Sequence, residues 1–146
     1  MAQYKFLRHC PNFAMMLYMT ETGTERRMAE NEVIFRGYNQ RIQKGFTEVR
    51  KLGKETNQEH LIPHDDTELH FYCECADENC KQRIQMEPSL YEKIHTNPKR
   101  FIVIHGHQVT RVEQVVVTKP NYMVVEKYVL PPPTAGTLNA TGVKNT

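Results

Sequence analysis

Apolar positions along this chain follow two different periods. From Glu30 to about Leu52, Ile34, Phe35, Tyr38, Ile42, Phe46 and Val49 recur at three- and four-residue steps, with Arg, Gln, Lys and Glu between them. That spacing predicts a long amphipathic helix. Glu30 or Asn31 suits its start and Gly53 its stop. Gly37 and Gly45 each weaken such a helix by about 1 kcal/mol relative to alanine. Residues 53–67 read as a polar loop. The period then changes to two: Leu69, Phe71, Cys73 and Cys75 alternate with His70, Tyr72 and Glu74, the pattern of a strand. The segment Ala76–Asn79 is a turn, and Arg83–Met86 reads as the returning strand of a hairpin. Ser89 to about Thr96 reads as a short helix closed by Asn97-Pro98. Phe101–Ile104 is a buried-strand run, and Val112–Thr118 with Tyr122–Lys127 form a second hairpin across Lys119-Pro120-Asn121. The order predicts an α+β fold: a small antiparallel sheet with a long N-terminal helix and a short second helix on one face.

Composition sets the domain limits. Residues 131–146 carry three prolines, two glycines and no aromatic residue, too little apolar surface to offset the entropy of ordering. They read as a disordered tail. Residues 1–27 show no clear period and read as an N-terminal extension, either disordered or preceding a true start at Met28. The domain proper is then 28–130, large enough for one modest core that a metal staple would help. The chain holds 19 basic and 17 acidic residues, net +2. Residues 1–27 supply that excess, with Lys5, Arg8, Arg26 and Arg27 against Glu21 and Glu25, so the remainder is 15 against 15. A neutral domain has no strong electrostatic reason to bind nucleic acid or anionic lipid. The best apolar run, Phe13–Met19, is far short of the roughly 18 residues a membrane span requires, and no small-residue cleavage site follows it. The expected location is the cytoplasm, where thiols stay reduced and clustered cysteines point to metal rather than disulfide.

The chemistry sits in Cys73-x-Cys75-x4-Cys80, followed by His105-Gly106-His107. Residues i and i+2 of a strand share a face, so Cys73 and Cys75 can present both sulfurs to one point, and the turn returns Cys80 toward them. Soft thiolates with one imidazole suit tetrahedral zinc. The hairpin is therefore expected to be zinc-stapled. His107 is the first candidate for the fourth ligand, because Gly106 lets the chain turn freely; His105 is the second. Lys81 and Arg83 lie where they could offset the net negative charge of the site. His70 is expected to face solvent, and His9, His60, His64 and His95 read as surface side chains. Glu74, between two ligands, points away from the metal face, and His64-Asp65-Asp66 reads as a solvated turn.

From Met28 to Lys127 the chain resembles a family of small, uncharacterised bacterial proteins, frequent in actinobacteria. The resemblance rests on NEVIFRGYNQRI, the F-x-C-E-C with a third cysteine after it, SLYEKIHTNPKRF, a Gly-His, and EQVVVTKPNYMVVEK. It implies a start at Met28 and His107 as ligand, since such proteins commonly carry proline where this chain has His105. It implies no reaction. The motifs of zinc proteases, zinc deaminases, nucleotide-binding loops and serine hydrolases are absent. The expected function is a structural Cys3His zinc domain, a binding or adaptor module whose partner is another protein and not nucleic acid or membrane. The alternatives are a zinc hydrolase with an open coordination position and a thiol-based redox sensor.

Overall fold

The computed structural model describes the backbone of residues 23–131 and the side chains of residues 25–131. The N-terminal extension up to residue 22 and the tail from residue 132 lie outside the described residues, and His9, Cys10 and the Phe13–Met19 run lie outside with them. Helix α1 spans Gly23–Glu55, and a single 3-10 turn follows at Glu59–Leu61. Strands β1 (Leu69–Tyr72) and β2 (Arg83–Met86) precede helix α2 (Pro88–Ile94), and β3 (Arg100–Val103), β4 (Glu113–Thr118) and β5 (Met123–Lys127) complete the chain. The fold is α+β, as the patterning implies. Where one sheet was expected there are two: an antiparallel β1-β2 pair and an antiparallel sheet of order β3-β5-β4.

Helix α1 begins at Gly23, ahead of the expected Glu30, and so crosses the boundary drawn at Met28. It also runs past Gly53, which lies in its last turn. A Cβ there would collide with the Ile62 side chain, so the glycine serves close approach of the following loop and not termination. The end comes two residues past Glu55, where Asn57 takes a positive φ of 56°, a role asparagine fills better than most residues. The expected apolar stripe divides in two. Phe35 is buried, whereas Ile34, Tyr38 and Val49 face outward. Beside Phe35, Val33 and the half-buried Ile42, three polar residues are buried as well: Glu32, Arg36 and Asn39.

These polar residues bind the sheets to α1. Arg36 lies with its guanidinium 3.7 Å from the Phe101 ring centre and donates to the backbone carbonyls of Pro98 and Arg100. The Asn39 amide donates to the Tyr72 carbonyl at 2.9 Å and accepts from the Tyr72 N–H at 2.6 Å. It thus occupies the outer edge of β1 as a neighbouring strand would. Immediately beyond, the Glu74 N–H donates to the Ile102 carbonyl at 2.8 Å, which joins the two sheets. The core between them holds Phe71, Ile84, Tyr91, Phe101, Ile102, Val124 and Val125, with Phe71 and Tyr91 stacked at 4.2 Å.

A second buried polar group ties the two ends of the domain. The Lys127 ammonium bonds the Glu32 carboxylate at 2.6 Å and also meets Glu113, beneath the Phe101 ring. Two carboxylates share one cation, so burial is not fully compensated, and it raises the Glu32 carboxyl to about 7 despite Lys127. A carboxyl whose folded value lies above its unfolded one holds its proton longer in the folded state. Its contribution is fullest below about 4.5 and is lost as pH rises through about 7. The stability difference between the wild type and Glu32→Gln should therefore fall on the order of 2 kcal/mol between pH 5 and pH 7.5. Urea unfolding at both values measures it, and a difference that stays flat would count against this account.

Candidate metal centre

The period-two segment places Cys73 just past the end of β1, where its N–H still donates to the Gln82 carbonyl at 3.0 Å and extends the hairpin by one step. The chain then turns through an Asp77 side chain that accepts from the Asn79 N–H at 2.9 Å, and Cys80 N–H bonds the Asp77 carbonyl. From α1, the Asn31 amide donates to the Ala76 carbonyl at 3.0 Å and holds the tip of the turn. On the other side, β3 ends and the chain reverses at Gly106, whose φ of 87° lies in the left-handed region that favours glycine. The His107 N–H closes that turn on the Ile104 carbonyl at 3.0 Å.

These two turns bring four side chains together. The sulfurs of Cys73, Cys75 and Cys80 and a ring nitrogen of His107 all lie within 4.8 Å of one another. His107 Nδ1 is 3.5 Å from the Cys73 sulfur and 3.5 Å from the Cys80 sulfur. A tetrahedron with metal–sulfur bonds of about 2.3 Å and a metal–nitrogen bond of about 2.05 Å has a sulfur–nitrogen edge of about 3.6 Å. The donor set is therefore already spaced for one ion. His105 is excluded from it: its Nε2 donates to the Lys119 carbonyl at 2.7 Å on an exposed surface. His70, His60 and His64 are exposed, as expected, and Asp65 of the His64-Asp65-Asp66 turn pairs with Arg50.

Protonation of the sulfurs points the same way. Cys73 shares a hydrogen bond with Cys75, which pushes the Cys73 thiol up and pulls the Cys75 thiol down to about 5. Burial raises Cys80. Three sulfurs this close cannot all ionise against one another, and a bound dication would take the place of the remaining protons. Each sulfur is also met by a backbone N–H. Ile104 donates to Cys73 at 3.3 Å, and the backbone of Asp77 and of Gln82 bonds Cys75 and Cys80. Such bonds favour the thiolate form that ligation requires.

Two expectations about the surroundings need correction. Arg83 does not stand near the sulfurs: it pairs across the hairpin with Tyr72, covers that ring at 3.3 Å and donates to the His70 carbonyl, on the opposite face. The groups seen to stabilise negative charge on the sulfurs are backbone N–H donors. His95 is not a surface side chain. Its side chain is 8% exposed, with Nδ1 donating to the Tyr91 carbonyl at 2.8 Å and Nε2 to Glu74 at 2.8 Å. Both ring nitrogens are thus engaged inside the domain, one by its own helix and one by Glu74.

Glu74 is the residue that sequence reasoning missed. Its side chain does point away from the sulfurs, but into the interior, where it is fully buried. One carboxylate oxygen accepts from Asn39 at 3.0 Å and from the Tyr91 hydroxyl at 2.7 Å; the other accepts from the Ile102 N–H at 3.0 Å and from His95. Four donors fill the acceptor sites of one carboxylate. Burial opposes ionisation, but His95, Arg36 and Asn39 together outweigh it and hold the carboxyl below its ordinary value. Its position between two cysteines was the only signal available in the sequence. Compared with known proteins, the chain matches no family model, no curated protein and no solved structure.

Proposed function

We propose that Cys73, Cys75, Cys80 and His107 hold one zinc ion and that its role is structural. The observation that carries this reading is the spacing of the donor atoms, with His107 Nδ1 3.5 Å from each of two sulfurs. Three thiolates and an imidazole at tetrahedral spacing favour zinc over the harder divalent cations. Four protein donors close the coordination shell, whereas a hydrolytic zinc keeps one position for water. The ion would fasten the turn after β1 to the turn after β3, so the zinc-bound tip at Ala76–Asn79 becomes a rigid surface feature.

The wider reading is a small binding or adaptor module that meets another protein. Balanced charge argues against nucleic acid, and among the described residues no helix is long and apolar enough to cross a membrane. A reducing compartment such as the cytoplasm suits three free, clustered thiols. Membership in the family of small bacterial proteins belongs to the same proposal and rests on the shared motifs.

Elemental analysis of purified protein is expected to give one zinc per chain. His107→Ala should lower zinc affinity by at least roughly tenfold, as loss of a first ligand or its support does, while His105→Ala should match the wild type. Protein that takes up no zinc after reconstitution under reducing conditions, or variants with these two effects exchanged, would remove the basis of the proposal.

A further inference from the structure

Helix α1 carries a second apolar stripe that the described chain covers only at Tyr38, whose ring meets those of Phe35 and Tyr72. At about 100° per residue, Ile34, Tyr38, Gly45, Val49 and Leu52 fall in one sector, next to the one that holds Asn39 and faces the sheets. Ile34 is 42% exposed, Tyr38 41%, Val49 53% and Leu52 60%. Exposed apolar residues are ordinary when scattered; four aligned on one helix face over several turns are not. Gly45 sits at the middle of this stripe. A helix-interior glycine weakens the helix, and a Cβ at Gly45 would meet nothing within 4 Å, so packing within the chain gives no reason for it. A second helix crossing closely at that point does.

The charges on the stripe indicate which helix. Arg41 and Glu48 flank it on the same side. In an antiparallel pair centred near Gly45, same-side flanks meet, and Arg41 of each helix lies opposite Glu48 of the other. The same register sets Tyr38 of one helix over Leu52 of the other, and the converse. Arg41 leans on the Tyr38 ring at 5.5 Å and has no carboxylate partner among the described residues; Glu48 has only an exposed Lys44 at 3.8 Å. The apolar run Phe13–Met19 of the same chain is a poor occupant. Leu52 lies about 43 Å along the helix from Gly23, while the chain from Gly23 back to Phe13 spans at most about 36 Å when fully extended.

We propose that the outward face of α1 is a two-fold, antiparallel interface with a second copy of this chain. It does not depend on the zinc reading. Self-complementarity is what such an isologous contact requires, and a contact through one helix face belongs at the weak end of interface sizes.

Sedimentation velocity on the full-length protein, from a few micromolar to a few hundred micromolar, tests it. The weight-average mass is expected to rise from 17.1 kDa toward twice that value. Leu52→Glu, at an exposed position, should keep the wild-type circular dichroism and remain monomeric throughout. Arg41→Glu should weaken association by roughly tenfold or more, and the double variant Arg41→Glu/Glu48→Arg should restore it. A wild-type mass that stays flat would overturn the proposal, whether the stripe is then covered by the chain's own N-terminal segment or by a different protein. So would a Leu52→Glu protein that associates like the wild type, or dissociation by Val116→Lys on the exposed edge strand β4 instead. Failure of the charge swap to rescue would overturn the antiparallel register.

Discussion

Cys75→Ser is expected to lower the unfolding free energy by several kcal/mol and to abolish stoichiometric zinc. Structural zinc contributes apparent binding energies of about 10–16 kcal/mol in small domains, and that energy is folding energy. Serine is nearly isosteric with cysteine but offers a hard, protonated oxygen, so packing changes little while ligation is lost. The loss is amplified by position: Cys75 lies between Glu74, which joins the two sheets, and Ala76, which α1 holds through Asn31. Cys80→Ser should behave alike, since its sulfur is 3.5 Å from His107 Nδ1. A chelator should reproduce the effect in the wild type and leave Cys75→Ser unchanged. Thermal melts with and without chelator measure this. A Cys75→Ser protein that melts with the wild type, or a wild type indifferent to chelator, would defeat the structural role.

Glu74→Gln should be the second large effect, about 3–5 kcal/mol, the usual cost of removing one charge from a buried pair, here opposite Arg36. The amide is the same size, so no cavity forms. Yet all four groups around Glu74 donate, and the glutamine NH2 must turn toward two of them. Facing His95 and Ile102, it opposes the Ile102 N–H; facing Asn39 and Tyr91, it opposes the Asn39 amide. The buried Arg36 guanidinium also loses a nearby negative charge. Because Glu74 separates two of the candidate ligands, zinc affinity should fall together with stability. Denaturant unfolding and competition for zinc with a coloured chelator read the two quantities separately. A loss under about 1 kcal/mol would show that the network is dispensable.

Elements with a local cause were readable in advance. Alternation at Leu69, Phe71 and Cys73 fixed the hairpin, and the valine runs on either side of Lys119-Pro120-Asn121 fixed the second one, because a period of two is imposed by the strand itself. The strand boundaries nonetheless moved inward: β1 stops at Tyr72 and not at Cys75, since beyond it the Glu74 N–H turns to the Ile102 carbonyl of β3 and no longer to β2. The stripe on α1 was read as one face when it is two. Three- and four-residue spacing cannot say which of two adjacent sectors is inside when polar residues such as Arg36 and Asn39 occupy the buried one. His95 misled for a related reason: a polar residue is expected outside unless paired, and its partner Glu74 lies 21 residues away.

By itself, the sequence determined the donor chemistry and most of the elements. Three cysteines within a few residues and a Gly-His are local facts, and ligand type and strand period follow from local facts. The tertiary structure decided which histidine joins the sulfurs, where Glu74 points and which face of α1 remains open. Each of these depends on groups far apart in the chain that meet only after the two sheets close on the helix, and the energy of a buried charge is set by those neighbours and not by its own identity.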